Sequence, residues 1–215
     1  MSYPLIVFDW DGTIIDSASG IAECIRQSAA DMGLPVPDRE RARHVIGLGL
    51  HDSLRIVVPE LAPERYSEFV ALYRKHFLAR EDSMQLFHGM DRLLERLSER
   101  HTLAIATGKS RRGLDRALAA TGLKGYFAAS RCADETNPKP HPAMLLELME
   151  ELGKDKADTL MIGDTSHDLE MARSAGVDAL AVTYGAHPER GLRAYSPLAC
   201  VPTVDSLRQW LTTNA

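Results

Sequence analysis

Leu5-Ile6-Val7-Phe8-Asp9-Trp10-Asp11-Gly12-Thr13 joins an unbroken apolar run to two carboxylates and a turn signal. The apolar run reads as a buried strand, and Asp-Gly reads as the loop that leaves it. Asp9 and Asp11 then fall at the carboxyl end of that strand, the edge of a parallel sheet where ligands bind. Asp-Gly alone also marks an ordinary turn. The weight of the reading therefore rests on what the rest of the chain places beside it.

Similar short apolar runs recur at Leu103 to Ala106, Leu160 to Ile162 and Ala179 to Val182, with a weaker one near Tyr126 to Ser130. Helical periodicities lie between them. Leu114, Ala117 and Leu118 share a face that stops at Gly122, and Pro142 opens a helix that stops at Gly153. A third helix is expected from Thr165 to Ala175, before Gly176. Strands alternating with helices from Leu103 onward predict an α/β fold with parallel strands and right-handed crossovers.

Residues 16–84 break the alternation, carrying helical patterns and no convincing strand. Ile21, Cys24, Ile25, Ala29 and Met32 keep a 3.6-residue period, as do Tyr66, Phe69, Val70, Tyr73 and Phe77. This predicts a helical domain over residues 16–84, inserted into a core made of 1–15 and 85–215. The stretch from Pro188 to Pro202 reads as loop, and Leu207 to Leu211 as a closing helix.

The chain has 215 residues, 45% of them hydrophobic and 26% charged, which excludes a disordered chain. A formal charge of −5 without a basic run argues against nucleic acid as a partner. The apolar runs are too short to span a bilayer, and Met1-Ser2-Tyr3-Pro4 has no signal-peptide pattern, so no membrane partner and a cytoplasmic location are expected. Cys24, Cys132 and Cys200 are scattered, fitting neither a disulfide framework nor a zinc site.

Three further signals join the first. Thr107-Gly108-Lys109-Ser110 ends a strand with a hydroxyl, a glycine and a helix start, which can meet a phosphate with a side-chain donor and free backbone amides, or can simply cap a helix. Lys139 stands between Pro138 and Pro140, which limit the loop's freedom and so the direction of its ammonium. Asp164 ends another strand, where an unpaired carboxylate needs a cation. Asp168 makes a capping box with Thr165. Lys109 and His167 read as solvated or helix-facing neighbours of these motifs.

The four signals in this order resemble the haloacid dehalogenase superfamily, and most nearly its phosphoglycolate phosphatase-like branch. That resemblance spans nearly the whole chain. It implies a Rossmann-like core with a small α-helical cap, and a magnesium-dependent phosphatase acting on a small phosphorylated molecule such as phosphoglycolate or a sugar phosphate. Asp9 would be the nucleophile, forming an aspartyl-phosphate, and Asp11 the general acid and then base. Asp9, Asp164 and the Asp11 backbone carbonyl would hold Mg²⁺. Thr107 and Gly108 would bind the phosphoryl group, Lys139 would offset its charge, and Asp168 would orient Lys139 or a metal-bound water. Gly47-Leu48-Gly49 is the candidate loop for the leaving group, although it also reads as a plain turn between helices. Many relatives carry asparagine where this chain has Gly108. A monomer or weak homodimer is expected.

Three other readings compete. The dehalogenase branch needs no second aspartate, and Asp11 argues against it. A β-phosphoglucomutase-like enzyme shares all four motifs, but its cap histidine is replaced here by Ile21, although His44, Lys75 and His76 offer cap groups for similar work. A receiver-like phosphate-responsive module has no helical insertion in its first crossover.

Overall fold

In the computed structural model, which describes residues 3–215 apart from the side chain of Asp82, the strands form one six-stranded sheet. They are β1 (Leu5–Phe8), β2 (Thr102–Thr107), β3 (Ala129–Cys132), β4 (Thr159–Gly163), β5 (Asp178–Val182) and β6 (Cys200–Val201). Between β1 and β2 lie α1 (Ala18–Asp31), α2 (Arg39–His44), α3 (Leu50–Val57), α4 (Tyr66–Leu78) and α5 (Met90–Ser98). The remaining helices are α6 (Arg111–Thr121), α7 (Ala143–Leu152), α8 (Ser166–Ala175), α9 (Glu189–Arg193) and α10 (Val204–Asn214).

The strand order is β3-β2-β1-β4-β5-β6, with every pairing parallel. This is the Rossmann-like α/β architecture that the alternation predicts. Because β1 lies between β2 and β4, the strand ends that carry Asp9, Thr107 and Asp164 are neighbours. Side chains alternate across the sheet and divide the core in two. Ile6, Phe8, Leu103, Ile105, Leu160 and Ile162 pack with α5, α6 and α10. Leu5, Val7, Ala104, Ala106 and Met161 pack with α7 and α8. Each large side chain so buried contributes about 1.5–3 kcal/mol by leaving water, which fixes the sheet edge on which the site is built.

α1 to α4 bury an apolar cluster of their own, including Ile21, Cys24, Ile25, Leu54 and Phe69. Two adjacent stretches of chain join these helices to the sheet. Asp16 N–H donates to the Gln85 carbonyl at 2.9 Å, and Phe87 N–H donates to the Ile14 carbonyl at 3.1 Å.

The sequence reading needs three adjustments. The weak third strand starts at Ala129, because residues 123–126 form a short 3₁₀ turn. The stretch read as loop from Pro188 to Pro202 contains α9 and β6, whose five and two residues are too short to show a period. The closing helix runs from Val204, where the Thr203 hydroxyl accepts from Ser206 N–H and so caps the first turn.

Candidate active site

Asp9 follows β1 directly and is fully buried. Its Oδ1 accepts from the Lys139 ammonium at 2.6 Å, while Oδ2 is buried without a hydrogen-bond partner. Lys139 reaches the Asp168 Oδ1 at 2.6 Å on its other side. Burial opposes the charge on Lys139, but Asp168 and Asp9 more than offset that and hold it above its usual range. Asp168 closes the capping box with Thr165 as well, so the two readings of this residue describe one side chain. Burial pushes Asp9 up to about 7, and the neighbouring Asp168 adds to the shift against the lowering effect of Lys139.

Asp164 is held by two donors. The Thr13 hydroxyl gives to Oδ1 at 2.9 Å, and Ala186 N–H gives to Oδ2 at 2.6 Å. A Cβ at Gly12, whose φ is +84°, would lie 2.2 Å from Asp164 Oδ2. Only glycine supplies both that backbone angle and that space, which explains the Asp-Gly pair in chemical terms. A Cβ at Gly185 would meet the same oxygen at 2.2 Å from another direction. Burial raises the Asp164 carboxyl well above its usual value, with Asp9 and Asp168 adding to the effect.

Oxygens of Asp9, Asp164 and Asp168 all lie within 4.8 Å of one another. With all three carboxylates ionised, the Lys139 ammonium offsets one charge and leaves two in a buried place, and Asp9 Oδ2 has no hydrogen-bond donor. A hard divalent cation with oxygen ligands fits that donor set.

Asp11 stands apart from this cluster. It accepts the Ser17 hydroxyl at 2.8 Å and the Lys109 ammonium at 3.0 and 2.9 Å on its two oxygens. Lys109 therefore is not a solvated neighbour. Its ammonium also lies 4.7 Å from the centre of the Phe77 ring of α4, so the site binds it on both sides. The signal was its position: a cation just past the strand end points over the same sheet edge as Asp11.

Thr107 is buried, and its hydroxyl accepts from Lys109 N–H at 3.2 Å. Gly108 is overlaid by the helical segment. A Cβ there would stand 2.6 Å from the Gly47 carbonyl oxygen and 2.8 Å from that of Leu48. The Gly47-Leu48-Gly49 loop is both the turn between α2 and α3 and a contact with the sheet edge. A Cβ on Gly47 would meet the Thr165 hydroxyl at 3.2 Å, and one on Gly49 the Pro138 ring at 3.2 Å. Gly47 lines a cavity of about 540 Å³ that runs from Asp9, Asp11, Thr107 and Gly108 into the helices. Gly49 instead sets its back against Pro138.

A second contact joins α2 to the loop after β5. Arg43 donates to the Gly185 carbonyl at 2.6 Å, the Ala186 carbonyl at 3.1 Å and the Ser19 hydroxyl at 3.1 Å. The His44 carbonyl accepts from His167 Nε2 at 2.8 Å and His187 Nε2 at 3.0 Å. His167 is thus buried against α2 rather than solvated. Burial keeps both imidazoles below their usual value, His187 at about 4, so each remains a neutral donor to that carbonyl. Of the groups considered for mutase chemistry, His44 stacks on His187, His76 bonds Asp31 at 2.7 Å, and Lys75 is exposed. Sequence reasoning missed Arg43, His187 and Ser17, which lie on elements with no motif to mark them.

No helix among the described residues is long and apolar enough to cross a membrane. The family model described as haloacid dehalogenase-like hydrolase matches residues 6–182. A protein named "Probable phosphatase IndB" from Dickeya dadantii is 38% identical over 207 residues, covering 93% of this chain and 90% of that one. A phosphoglycolate phosphatase of Yersinia pestis is 30% identical over 187 residues, 84% of this chain and 81% of its own. A haloacid dehalogenase-like hydrolase structure from Streptococcus pneumoniae superposes with a TM-score of 0.81 at 27% identity, covering 98% of both chains. Sheet order, the four motif positions and these likenesses agree: the chain is an enzyme of the haloacid dehalogenase-like hydrolase family, with phosphatases among its relatives.

Proposed function

We propose that the protein is a magnesium-dependent phosphatase that hydrolyses a phosphomonoester through an aspartyl-phosphate on Asp9. The observation that carries this reading is the Asp9 carboxylate itself, paired through Oδ1 with a buried ammonium and left without a hydrogen-bond partner at Oδ2, on a residue that lines the cavity. Asp9 and Asp164, with the Asp11 backbone carbonyl, would hold Mg²⁺, whose charge would screen the nucleophile from the phosphoryl group.

In the first half-reaction an Asp9 oxygen bonds to phosphorus as the bond to the leaving oxygen breaks, and Asp11 gives that oxygen a proton. In the second, Asp11 takes a proton from water, whose oxygen bonds to phosphorus as the Asp9 bond breaks. Lys139 offsets charge on Asp9 and the phosphoryl oxygens, and Asp168 aims Lys139. Thr107 and the Gly108 amide would receive phosphoryl oxygens. Lys109 and Ser17 hold Asp11 as the carboxylate that takes the proton from water in the second half-reaction. The helices of residues 16–84 would act as a cap that closes over the site and excludes water.

The test is release of inorganic phosphate from a panel of phosphomonoesters with and without magnesium. Turnover that stops with EDTA and returns with Mg²⁺ supports the reading. Full activity in metal-free buffer, or no release from any ester, overturns it.

A further inference from the structure

The cavity above Asp9 is larger and more apolar than a two-carbon acid or a sugar requires. Its volume of about 540 Å³ lies within the range that holds ligands of drug size. Its walls are Ile21 and Ile25 of α1, Leu54 and Val57 of α3, and Phe69 and Tyr73 of α4. The spacings explain this. Residues four apart on α1 and α4, and three apart on α3, turn the same face inward. Most of these side chains are nearly closed to solvent, so the accessible apolar surface of the cavity comes from Tyr73 together with Leu50, Val70 and Leu78.

Polar groups in the helical walls are scarce. The Ser53 hydroxyl already donates to the Gly49 and Val45 carbonyls, and Arg74 is exposed. A carboxylate or a set of hydroxyls packed among the buried apolar side chains would lose water and find no partners, while His51, Arg74 and Arg112, which also line the cavity, are exposed. Hydrocarbon would gain instead. Polar groups gather on the sheet side, where Asp9, Asp11, Thr107 and Lys109 line the cavity and would face a phosphoryl group.

We propose that the leaving group is the alcohol of an apolar alkyl or aryl phosphomonoester, with the phosphoryl end on the sheet edge and the hydrocarbon body in the chamber between α1, α3 and α4. This rests on the phosphatase reading and narrows it. The bond balance is unchanged: ester and water give the free alcohol and inorganic phosphate.

The experiment measures kcat/KM for phosphate release from unbranched alkyl phosphates, ethyl to hexyl, alongside phosphoglycolate, with magnesium present. Each added methylene is expected to raise kcat/KM about fourfold, so hexyl phosphate exceeds ethyl phosphate by about 250-fold. Val70→Trp, at a half-buried wall position, is expected to lower the hexyl-to-ethyl ratio about 10-fold. Should that variant fail to fold, the alkyl series on the unaltered protein decides alone. A flat or falling series, or phosphoglycolate turned over faster than hexyl phosphate, overturns the apolar assignment and leaves the phosphatase reading standing. No release from any ester in magnesium overturns both.

Discussion

Replacing Gly108 with alanine tests whether closure of the helices over the sheet edge belongs to turnover. The added carbon would stand 2.6 Å from the Gly47 carbonyl oxygen and 2.8 Å from both the Gly47 carbonyl carbon and the Leu48 carbonyl oxygen. Tight C···O contacts run at about 3.3–3.6 Å, so the loop must retreat by roughly 0.7–1 Å. All three obstacles are backbone, and no side-chain rotation relieves them. Overpacking on this scale costs about 1–3 kcal/mol. The helices can avoid it by tilting away on their two-stranded connection, so the cost falls on the closed state. Closure then shifts about 5- to 150-fold toward open, and kcat/KM should drop by that factor on any phosphomonoester. Were the cost borne by folding instead, the melting temperature would fall by about 2–4 °C for each kcal/mol. The assay is therefore kcat/KM beside thermal melting, with Gly125→Ala, where a Cβ meets nothing within 4 Å, as the silent control. Wild-type kcat/KM in Gly108→Ala would refute the argument, because it would show that the loop yields without cost.

Asp9→Asn should abolish turnover yet melt, in EDTA at pH 8, no lower than the unaltered protein, since it removes a carboxylate that burial disfavours. The same burial sets a pH dependence. With Asp9 raised from 3.8 to about 7 in the fold, its protonated form favours folding, and that contribution is lost as pH rises through the window between those values. Magnesium should consequently raise the melting temperature more at pH 8 than at pH 5, and equal gains at both would contradict the cation fit. Lys109→Met, which leaves Asp11 with the Ser17 hydroxyl alone, should lower kcat by about 10- to 100-fold, with partial recovery in Lys109→Arg. Arg43→Ala should raise the magnesium concentration for half-activation about 10-fold, because Arg43 anchors the carbonyls of the loop whose Ala186 amide holds Asp164. An unchanged magnesium titration would show that the loop stands without it.

Legibility in the sequence follows the range of the interaction. The buried strands are plain because four successive apolar residues such as Leu5 to Phe8 have little other use in a chain of this composition, and the helix ends at Gly122, Gly153 and Gly176 mark themselves locally. Asp9, Asp11, Lys139 and Asp164 are legible as a set, since each charged residue sits where a strand or a stiff loop ends. Lys109 and His167 are read only as solvated or helix-facing because exposure is the usual state of such residues, and what buries them is α4 and α2, far away in sequence. Arg43 and His187 carry no local mark at all. The chamber is hidden for a different reason: the 3.6-residue stripe of α4 is the same whether it meets another helix or an enclosed space.

The connection at Ile14 to Asp16 and Gln85 to Phe87 has a consequence for how such an enzyme can change over time. The helices hang from the sheet by two adjacent threads and fold around an apolar cluster of their own. Substitutions in the chamber therefore leave the packing beneath Asp9 undisturbed, and selectivity can drift while the bond-breaking apparatus stays fixed. Three contacts among several set the terms of that freedom: Gly47 on Gly108, Arg43 on residues 185–186, and the His44 carbonyl between two imidazoles. A foreign bundle grafted at this junction with those three preserved inherits a working sheet edge, and one that drops them must rebuild its own seat.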